Sequence, residues 1–546
     1  MYKFPYQVVK LIKALEEKNF EAYVVGGAVR DILLGKHPND YDIATNATPD
    51  DAIAIAKEMG WQTIDKLGKN FGTIIVVVSG MGMEVTTFRG ERYDKDSHRP
   101  AEIWKARNLQ EDCKRRDFTI NAMAMNLNGV LYDFHEGRQD LEKHILRTVG
   151  KAKKRFNEDA LRMFRACRFV AQLGFLYTDD SFKNKPFGDK KTEYYLPHCP
   201  IFDTSRCSGL SLERVKAELE KLLCADYAGL GMAMLMGTGL ADTQCQIKRN
   251  GVTSVIDILP ELKHLVGLKQ NPKFHLYDGW EHTLKALDNA PPSLPIRWAM
   301  LCHDLGKGMP NVRDVNKDGQ PRDAGHEKVS TIMTAELLKR LNYAPKFIKH
   351  VTFLVKHHMR FAAFMRDDHN GIKAEASMLH WLRDVVSENL FKHEADMADA
   401  CTDLVKVYLA DMGATVAGQN RAIMDEGREL GARLIQLART RMPISTGDLN
   451  LNANDFAKIP EGVNIKNALS YLVKRVQSGD LTNEHNALMR ALLAKYARIE
   501  REKQNGKNKK NTRAGKHVHR SHGRGVPAVA SPVLSENNSG TGSSKQ

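Results

Sequence analysis

The stretch VVGGAVRDILLGKHPNDYDIAT, Val24–Thr45, combines a short apolar run, a glycine pair and two aspartates one residue apart. The apolar run predicts a strand, and Gly26 and Gly27 lie between it and a helix-like segment. Glycines in this place can expose backbone N–H groups to a phosphate chain. In a strand, Asp40 and Asp42 would point the same way, and such adjacent carboxylates repel unless a divalent cation lies between them. The stretch therefore predicts a site for a nucleoside triphosphate and Mg²⁺.

Each feature has a simpler interpretation when it stands alone. Asp-x-Asp occurs by chance in many loops, and Gly-Gly after a strand is commonly a turn. The order and spacing of the two features favour the functional interpretation. So does Glu84 in the strand candidate MEVTTFR, which is a third carboxylate on a neighbouring strand.

The composition describes a basic globular chain that needs several domains. Its 546 residues exceed what one hydrophobic core supports, and its net charge of +15 favours a polyanionic partner. The eight cysteines contain no Cys-x-x-Cys pair, so they predict reduced thiols rather than a zinc module or a disulfide framework. Neither a signal-peptide layout nor an apolar run of the ~20 residues that span a bilayer is present. We therefore expect a cytoplasmic protein without a membrane partner.

The pattern of apolar residues changes along the chain. From Tyr23 to about Gly150, short strand candidates alternate with helical segments, which predicts an α/β unit. From Lys151 to about Arg501, helical periodicity prevails. Residues 501–546 carry 10 Lys and Arg residues against 2 Asp and Glu residues, which predicts a disordered basic tail. This tail serves either solubility or an accessory RNA contact.

Five successive motifs resemble those of a known family. They are GGAVRDILLG…NDYDIAT, FGT…EVTTFR, EDCKRRDFTINAMAMN, YDFHEGRQDLEKHILRTVG and EDALRMFRACRFVAQLGF. In this order they resemble the signature motifs of class II tRNA nucleotidyltransferases, the CCA-adding enzymes, and of the related bacterial poly(A) polymerases. The resemblance implies an α+β multidomain protein with a polymerase-β-like head and mostly α-helical neck, HD and body regions. It also implies tRNA, CTP and ATP as partners.

The resemblance assigns roles to residues of the head. Asp40 and Asp42 would hold catalytic Mg²⁺ for transfer of a nucleotide to an RNA 3′-hydroxyl. Glu84 is expected beside them as a third catalytic carboxylate. Asp117 would accept a hydrogen bond from the ribose 2′-hydroxyl. The expected nucleotide-binding residues are Gly26, Gly27, Arg30, Arg116, Asp117, Asn121, Asp159, Arg162, Arg165 and Arg168.

The motif EDALR offers a means of choosing the nucleotide. On one helix, Asp159 and Arg162 would be three residues apart and face the same side. The carboxylate accepts hydrogen bonds and the guanidinium donates them, which matches the Watson–Crick edges of cytosine and adenine but not those of guanine and uracil. The simpler alternative is a surface ion pair worth a few tenths of a kcal/mol.

The segment Gly90–Asp112 corresponds to the flexible loop that helps the family switch from C to A. Enzymes that add only CC look shortened there, whereas this sequence retains the length and the motif His98-Arg99-Pro100. We therefore expect full CCA addition.

Further histidines and aspartates follow within the helical region. Their types suit divalent metals, and the His303–Asp304 doublet in an apolar helix is costly unless it is coordinated or paired. They resemble the HD phosphohydrolase domain, which in some bacterial CCA-adding enzymes hydrolyses 2′,3′-cyclic phosphates or 2′-phosphates. A helical scaffold for tRNA docking is the alternative. The expected ligands of a divalent metal of unknown identity are His282, His303, Asp304, His326, His357 (or His358) and Asp396.

The resulting domain prediction is a head at 1–150, a helical neck and linker at 151–268, an HD domain at 269–410, a tRNA-binding body at 411–500 and the basic tail at 501–546. The rival functions are a poly(A) polymerase, an A-adding partial enzyme, an HD phosphohydrolase whose head only binds RNA, and a non-catalytic RNA-binding protein. The basic tail favours the polymerase, but the HD segment disfavours it because those enzymes lack this domain.

Overall fold

The computed structural model describes residues 2–65, 69–94, 98, 100–179, 202–370, 374–452, 454–455 and 464–514. The chain divides into two compact units, Met1–Ile444 and Ser445–Gln546. The first unit begins with a seven-stranded sheet and is otherwise largely helical. This arrangement confirms the predicted α+β fold class. None of the described helices is both long and apolar enough to cross a membrane.

The head, residues 2–150, contains the sheet and the helices packed on it. Its strands are β1 Ala22–Val25, β2 Asp42–Thr45, β3 Gln62–Ile64, β4 Thr73–Val78, β5 Met81–Thr87, β6 Arg89–Tyr93, β7 Pro100–Lys105, β8 Met123–Met125, β9 Leu131–Asp133 and β10 Ile145–Leu146. Its helices are α1 Tyr6–Glu16, α2 Gly27–Leu33, α3 Pro49–Glu58, α4 Leu109–Lys114 and α5 Gly137–Glu142.

The sheet has the strand order β3-β4-β5-β2-β1-β8-β9. Its central pair, β2 and β5, is parallel, while β1 runs antiparallel to β2 and β4 runs antiparallel to β5. β4 buries Ile74, Val76 and Val78, so that every second residue enters the core, as a strand with one covered face requires. β6 and β7 form a separate hairpin.

The segment after the head is helical but not free of strands. Its elements are α6 Ala152–Glu158, α7 Leu161–Leu173, β11 Leu176–Tyr177, α8 Leu212–Leu223, α9 Ala228–Gly237, β12 Gln244–Arg249 and β13 Val252–Asp257. The stretch ADTQCQIKRNGVTSV, for which the sequence suggests no function, forms the β12–β13 hairpin. The polar stretch GDKKTEYYLPHCPIFDTSRCSG, residues 188–209, contains Pro and Gly and predicts an inserted loop. Of this stretch, residues 188–201 lie outside the described residues.

The remaining elements of the first unit surround a buried group of histidines. They are α10 Gly279–Asn289, α11 Leu294–Cys302, β14 Arg313–Val315, β15 Pro321–Asp323, α12 His326–Arg340, α13 Pro345–His357, α14 Arg360–His369, α15 Ala374–Ser387, α16 Glu394–Met412 and α17 Arg421–Arg441. The second unit contains α18 Ile465–Gln477 and α19 His485–Ala514. α18 and α19 bury Leu472 and Leu492 in a small core of their own.

Two predicted boundaries need correction. The predicted boundary after residue 410 falls inside α16. In addition, α17 packs on α16, because Gly427 and Gly431 of α17 allow a close approach to Tyr408 and Val405. The compact unit therefore extends to Ile444. Disorder from residue 501 is also contradicted in part, since α19 continues to Ala514. Once a helix is nucleated, good helix formers such as Lys and Arg prolong it at little cost. Residues 515–546 lie outside the described residues.

Close packing of α7 on α9 leads to a stability prediction. A Cβ at Gly231 would lie 2.6 Å from the Cβ of Ala171 and 2.8 Å from the carbonyl oxygen of Cys167. Because the backbone of α7 cannot yield cheaply, we expect Gly231→Ala to lower the free energy of unfolding by about 1–3 kcal/mol. Urea unfolding followed by circular dichroism measures this change.

Gly237 provides the matched control, because it is exposed at the end of the same helix. Gly237→Ala should change stability by less than about 1 kcal/mol. Equal unfolding midpoints for Gly231→Ala and the parent protein would contradict the close contact.

Candidate active site and a second cluster of histidines and aspartates

Three carboxylates meet where β2 and β5 run side by side. Asp42 is the first residue of β2 and stands opposite Glu84 in the parallel register. Residues that pair in register point to the same face of a sheet, so these two carboxylates are neighbours. Asp40 and Glu84 are exposed, whereas Asp42 is half-buried. The arrangement leaves the carboxylates open to solvent on one side.

Nearby positive charges only partly balance the negative charges of the three carboxylates. Burial and then the charges of Glu84 and Asp40 raise the pKa of Asp42 to about 6, while Arg116 opposes this shift. Carboxylate oxygens suit Mg²⁺, which proteins bind through carboxylates together with substrate phosphates. The donor set therefore fits the predicted cation.

Gly26 brings the backbone close to this group. Its φ of +74° is a left-handed conformation that favours glycine, and a Cβ there would lie 3.4 Å from both Asp42 Oδ2 and Arg116 Nη1. Gly27 begins α2, and Arg30 on that helix donates to Asn121 Oδ1 at 3.0 Å. The structure thus brings together five of the predicted nucleotide-binding residues beside the carboxylates.

The guanidinium of Arg116 is buried against α4. It contacts Asp112 Oδ2 at 3.2 Å and points Nη1 toward the carbonyl oxygen of Asn121, 3.5 Å away. Burial lowers the pKa of Arg116, but the charge of Asp112 outweighs this effect, and the net shift is upward. Arg116 is therefore a fixed positive charge next to Asp42.

Asp117 and two arginines of α7 form an ion-pair chain with Glu218 of α8. Arg165 Nη2 lies 2.5 Å from Asp117 Oδ2, and Arg168 Nε lies 2.7 Å from Glu218 Oε2. Burial alone would raise the pKa of Asp117, but Arg165 outweighs it and holds the value at about 2. The other oxygen, Asp117 Oδ1, accepts from the Phe118 N–H. Both oxygens of the predicted ribose acceptor are thus engaged by protein groups.

Asp159 and Arg162 do not share one helix, which corrects the prediction. Asp159 has the extended conformation φ −147°, ψ 109° between α6 and α7, since its carboxylate accepts from the Leu161 N–H and contacts Arg214 Nη2 at 2.5 Å. Arg162 is buried and contacts Glu158 Oε2 at 2.6 Å. The two side chains therefore have different partners in this structure.

The predicted switching loop lies partly near Asp159. β6 and β7 form its two arms, and His98 Nδ1 is 3.8 Å from Asp159 Oδ1. Arg99, the middle residue of the predicted His-Arg-Pro motif, lies outside the described residues.

A second cluster lies among the helices that follow residue 278. Two groups of ligand-type side chains face each other across Asp304, with all side chains buried except the half-buried Asp411. Burial alone would raise the pKa of Asp304, but His303 and Lys307 outweigh it and hold the pKa well below its ordinary value. The groups are His282, His303 and Asp411, and Asp304, His326 and His358.

Two of the predicted metal ligands are not in the cluster. His357 is the last residue of α13, and its Nδ1 instead accepts a hydrogen bond from Trp381 Nε1. Asp396 is exposed in the first turn of α16, and Asp411 near the end of that helix takes the place predicted for it. The tripeptide Ala-Asp-Met occurs at both positions, so the sequence pattern did not decide between them.

Sequence reasoning also missed a basic side chain at the cluster. Lys307 Nζ lies 2.7 Å from Asp304 Oδ2, three residues along the chain. The signal was available in the stretch HDLGKG, where a lysine follows the aspartate at helical spacing. A cavity of about 730 Å³ opens beside the cluster, and its lining includes the cationic side chains Lys273, Lys307, Arg322 and Arg366.

Comparisons with known proteins agree with the head's architecture. The family described as the poly A polymerase head domain matches residues 22–147. A CCA-adding enzyme of Lactiplantibacillus plantarum is 33% identical over 361 residues, which are 66% of this chain and 71% of that protein. A CCA-adding enzyme of Geobacillus thermodenitrificans is 43% identical over 303 residues, which are 55% of this chain and 63% of that protein. The chain thus spans less than two thirds of the length of this second relative.

A solved structure is also similar to most of the chain. It is the Bacillus stearothermophilus CCA-adding enzyme in complex with CTP, with a TM-score of 0.55 and 25% sequence identity. The likeness covers 91% of this chain and 98% of the solved one.

The raised pKa of Asp42 leads to a pH-dependent stability prediction. Above about pH 6 the carboxylate is charged in both states, so the fold carries an energetic penalty that Asp42→Asn removes. In EDTA at pH 7.5 we expect the variant to be more stable than the parent by about 1–3 kcal/mol. This difference in stability should decrease as the pH falls from 6 toward 4, because protonation of Asp42 then removes the unfavourable charge from the folded parent protein. Urea unfolding across this pH range measures it.

Asp318→Asn is the control, because Asp318 is exposed and lies outside the head. This variant should not gain stability at pH 7.5 in the same way. A variant at Asp42 that is less stable than the parent at pH 7.5 in EDTA would contradict the uncompensated charge.

Proposed function

The chain belongs to the family of CCA-adding enzymes, and from this premise we propose that it adds C, C and A to the 3′ end of tRNA, using CTP and ATP without a nucleic-acid template. The observation that carries the proposal is the meeting of Asp40, Asp42 and Glu84 at the paired strands β2 and β5, beside the backbone of Gly26. Nucleotidyl transfer needs such carboxylates to hold Mg²⁺, which stabilises the charge on the attacking and leaving oxygens.

The surrounding cations would hold the triphosphate. Arg30 and Arg116 lie next to the carboxylates, and each is already fixed by an amide or carboxylate partner. A guanidinium held in advance binds phosphate oxygens without a further loss of side-chain freedom. The Gly26–Gly27 backbone leaves room for the phosphates because no side chain stands there.

Asp159 and Arg162 would read the base. Each base that the enzyme accepts presents an amino donor beside a ring-nitrogen acceptor, which a carboxylate and a guanidinium can pair with. In the present arrangement these groups are bound to Arg214 and Glu158. Base reading therefore requires both ion pairs to be exchanged or shared when the nucleotide enters. The carboxylate of Asp117 would likewise have to contact both the ribose 2′-hydroxyl and Arg165.

The experiment uses tRNA transcripts that end before the terminal trinucleotide, after C or after CC. Each is incubated with the protein, Mg²⁺ and one labelled nucleotide. We expect C, C and A to be added in order and addition then to stop. Long A tails would instead identify a poly(A) polymerase, and A addition only to CC-ended tRNA would identify a partial enzyme.

Removing a carboxylate tests the proposed metal ligands within the same assay. Asp42→Ala should reduce incorporation to below about 1% of the parent rate, because the loss of a cation ligand removes several kcal/mol of transition-state stabilisation. Asp50→Asn is the control, since Asp50 is exposed and pairs with Lys69 at the surface. Normal incorporation by Asp42→Ala would remove this residue from the catalytic group.

A second function is favoured by the buried cluster around Asp304. We propose that this cluster is the active site of a metal-dependent phosphohydrolase of the HD type, which acts on 2′,3′-cyclic phosphates or 2′-phosphates. The observation in its favour is that ligand-type residues from several helices converge beside a cavity whose lining includes cationic side chains suited to a phosphate. Bound metal would supply activation of water, and Lys307 would keep a positive charge next to Asp304.

The two activities should be separable by mutation. Asp304→Asn should lower hydrolysis of 2′,3′-cyclic AMP roughly 100-fold or more, since even partners outside the ligand set commonly contribute 10–100-fold. The same variant should retain CCA addition. His350→Ala serves as the control, because His350 pairs with Asp403 away from the cluster. Hydrolysis that survives Asp304→Asn would contradict the assignment.

The second unit and the C-terminal segment would contact the tRNA. The predicted tRNA-binding body is 411–500, and α18 and the first part of α19 form its C-terminal portion. The basic residues of 501–546 would offer an additional contact with phosphates.

A further inference from the structure

Two charged side chains of α8 contact the residues that would select the nucleotide. Arg214 Nη2 lies 2.5 Å from Asp159 Oδ2. Glu218 Oε1 lies 3.7 Å from Nη1 of Arg165, the arginine that holds Asp117. Residues four apart in a helix lie on one face. We propose that α8 sets nucleotide selection, with Arg214 as the positioning residue for the base reader Asp159 and Glu218 as the positioning residue for the ribose acceptor Asp117. The proposal rests on the CCA addition proposed above and extends it to residues that act through others.

The contact with Arg214 fixes the carboxylate of Asp159 without occupying it fully. Asp159 lies in an extended segment between α6 and α7, where its Oδ1 accepts from the Leu161 N–H at 3.1 Å and its Oδ2 from Arg214. One donor on each oxygen determines the plane of the carboxylate. Because a carboxylate oxygen has two lone pairs, Oδ2 retains one for the amino group of cytosine or adenine. Without Arg214 the carboxylate is held at one oxygen, and its orientation toward the base is less strictly fixed.

Glu218 is the buried counter-charge for two arginines of α7. Its Oε2 lies 2.7 Å from Arg168 Nε, while its Oε1 faces Arg165. Burial lowers the pKa of Arg168 to about 10, and the charge of Glu218 opposes this shift. Removing one partner of a buried ion pair leaves a charge that must find another partner. Arg168 therefore depends on Glu218 for its place in the site.

The ribose acceptor has little capacity to replace Glu218. Asp117 Oδ2 contacts Nε and Nη2 of Arg165, and Oδ1 accepts from the Phe118 N–H. These contacts leave one of roughly four lone-pair sites for the ribose 2′-hydroxyl. The charge of Asp117 also acts on Arg168. If Glu218 is lost, Arg165 and Arg168 compete for Asp117, and the lone pair that the 2′-hydroxyl needs is withdrawn.

The test measures equilibrium binding of CTP, UTP and dCTP to the full chain in Mg²⁺ without tRNA. We expect Arg214→Gln to lower the preference for CTP over UTP roughly 10-fold and to leave the preference for CTP over dCTP unchanged. Glu218→Gln should do the opposite, lowering the preference for CTP over dCTP roughly 10-fold and leaving that over UTP unchanged. A role of α8 in packing alone would lower both preferences together in each variant.

Two further variants separate charge from packing. Arg214→Lys keeps a cation near Asp159 and should restore most of the preference for CTP over UTP that Arg214→Gln loses. Lys221→Gln is the matched control, because Lys221 is exposed on the same helix and should change neither preference. Equal changes of both preferences in Arg214→Gln, or no change in either, would overturn the proposal. Should Glu218→Gln fail to fold, the half-buried Arg214 decides the question by the same criterion.

The outcome is independent of the proposed CCA addition, because binding is measured without tRNA. Preferences that respond to the two substitutions as expected, in a protein that adds no nucleotide to tRNA, would support the role of α8 and contradict the proposed activity. Full CCA addition by a protein whose preferences are unchanged in both variants would do the reverse.

Discussion

The parallel pairing of β2 with β5 is the constraint on which the head's site depends. In this register Ile43 stands opposite Val85, and both are buried on the core side of the sheet. A slip by one residue would turn these apolar side chains outward and bury the charges. The core therefore fixes the position of Asp42 beside Glu84, although neither carboxylate contributes to the core itself. Repulsion between the two is tolerated because the hydrophobic side of the same strands holds the pairing.

The arginines near these strands follow a second constraint, since a buried guanidinium needs a partner. Arg116 is held by Asp112, which lies four residues earlier in the head. Arg165 of α7 is held by Asp117 of the head, and Arg168 of α7 is held by Glu218 of α8. The last two ion pairs connect the head to α7 and α7 to α8. Groups fixed in this way retain their positions before a ligand arrives, which lowers the cost of binding a polyanion. The same contacts thus contribute to the fold and to the charge of the site.

Local patterns in the sequence predicted much of this arrangement. The pattern of apolar residues in MEVTTFR identified the strand that carries Glu84. The strand at Asp42 was only supposed from the Asp-x-Asp spacing, and it begins at Asp42, so that Asp40 precedes it. The His303–Asp304 doublet was identified because charged and polar groups in an apolar stretch need partners. Contrary to the prediction, the doublet does not lie inside the helix, because α11 ends at Cys302. Both inferences depend on neighbours in sequence. For that reason they did not require knowledge of the tertiary structure.

The errors arose where tertiary packing decides. Asp396 and Asp411 lie in identical tripeptides on one helix, fifteen residues or about 22 Å apart, and only the packing of α16 determines which of them meets His282. His357 and His358 are adjacent and differ by ~100° around the helix axis, so the contact of His357 with Trp381 turns His358 inward. The break at Asp159 depends on Arg214, which is 55 residues away in the chain. Such choices are not encoded in local periodicity.

The two sites differ in ligand chemistry, and this difference bears on how the activities proposed for them would relate. The head offers carboxylate oxygens, which suit Mg²⁺, whereas the cluster at Asp304 offers four imidazoles and two carboxylates, which suit transition metals. Each site is also built on its own elements, the sheet for the head and α10 to α16 for the cluster. Removal of a metal from the cluster would therefore take no ligand-type residue from the head's site, because none of those residues lies in α10 to α16.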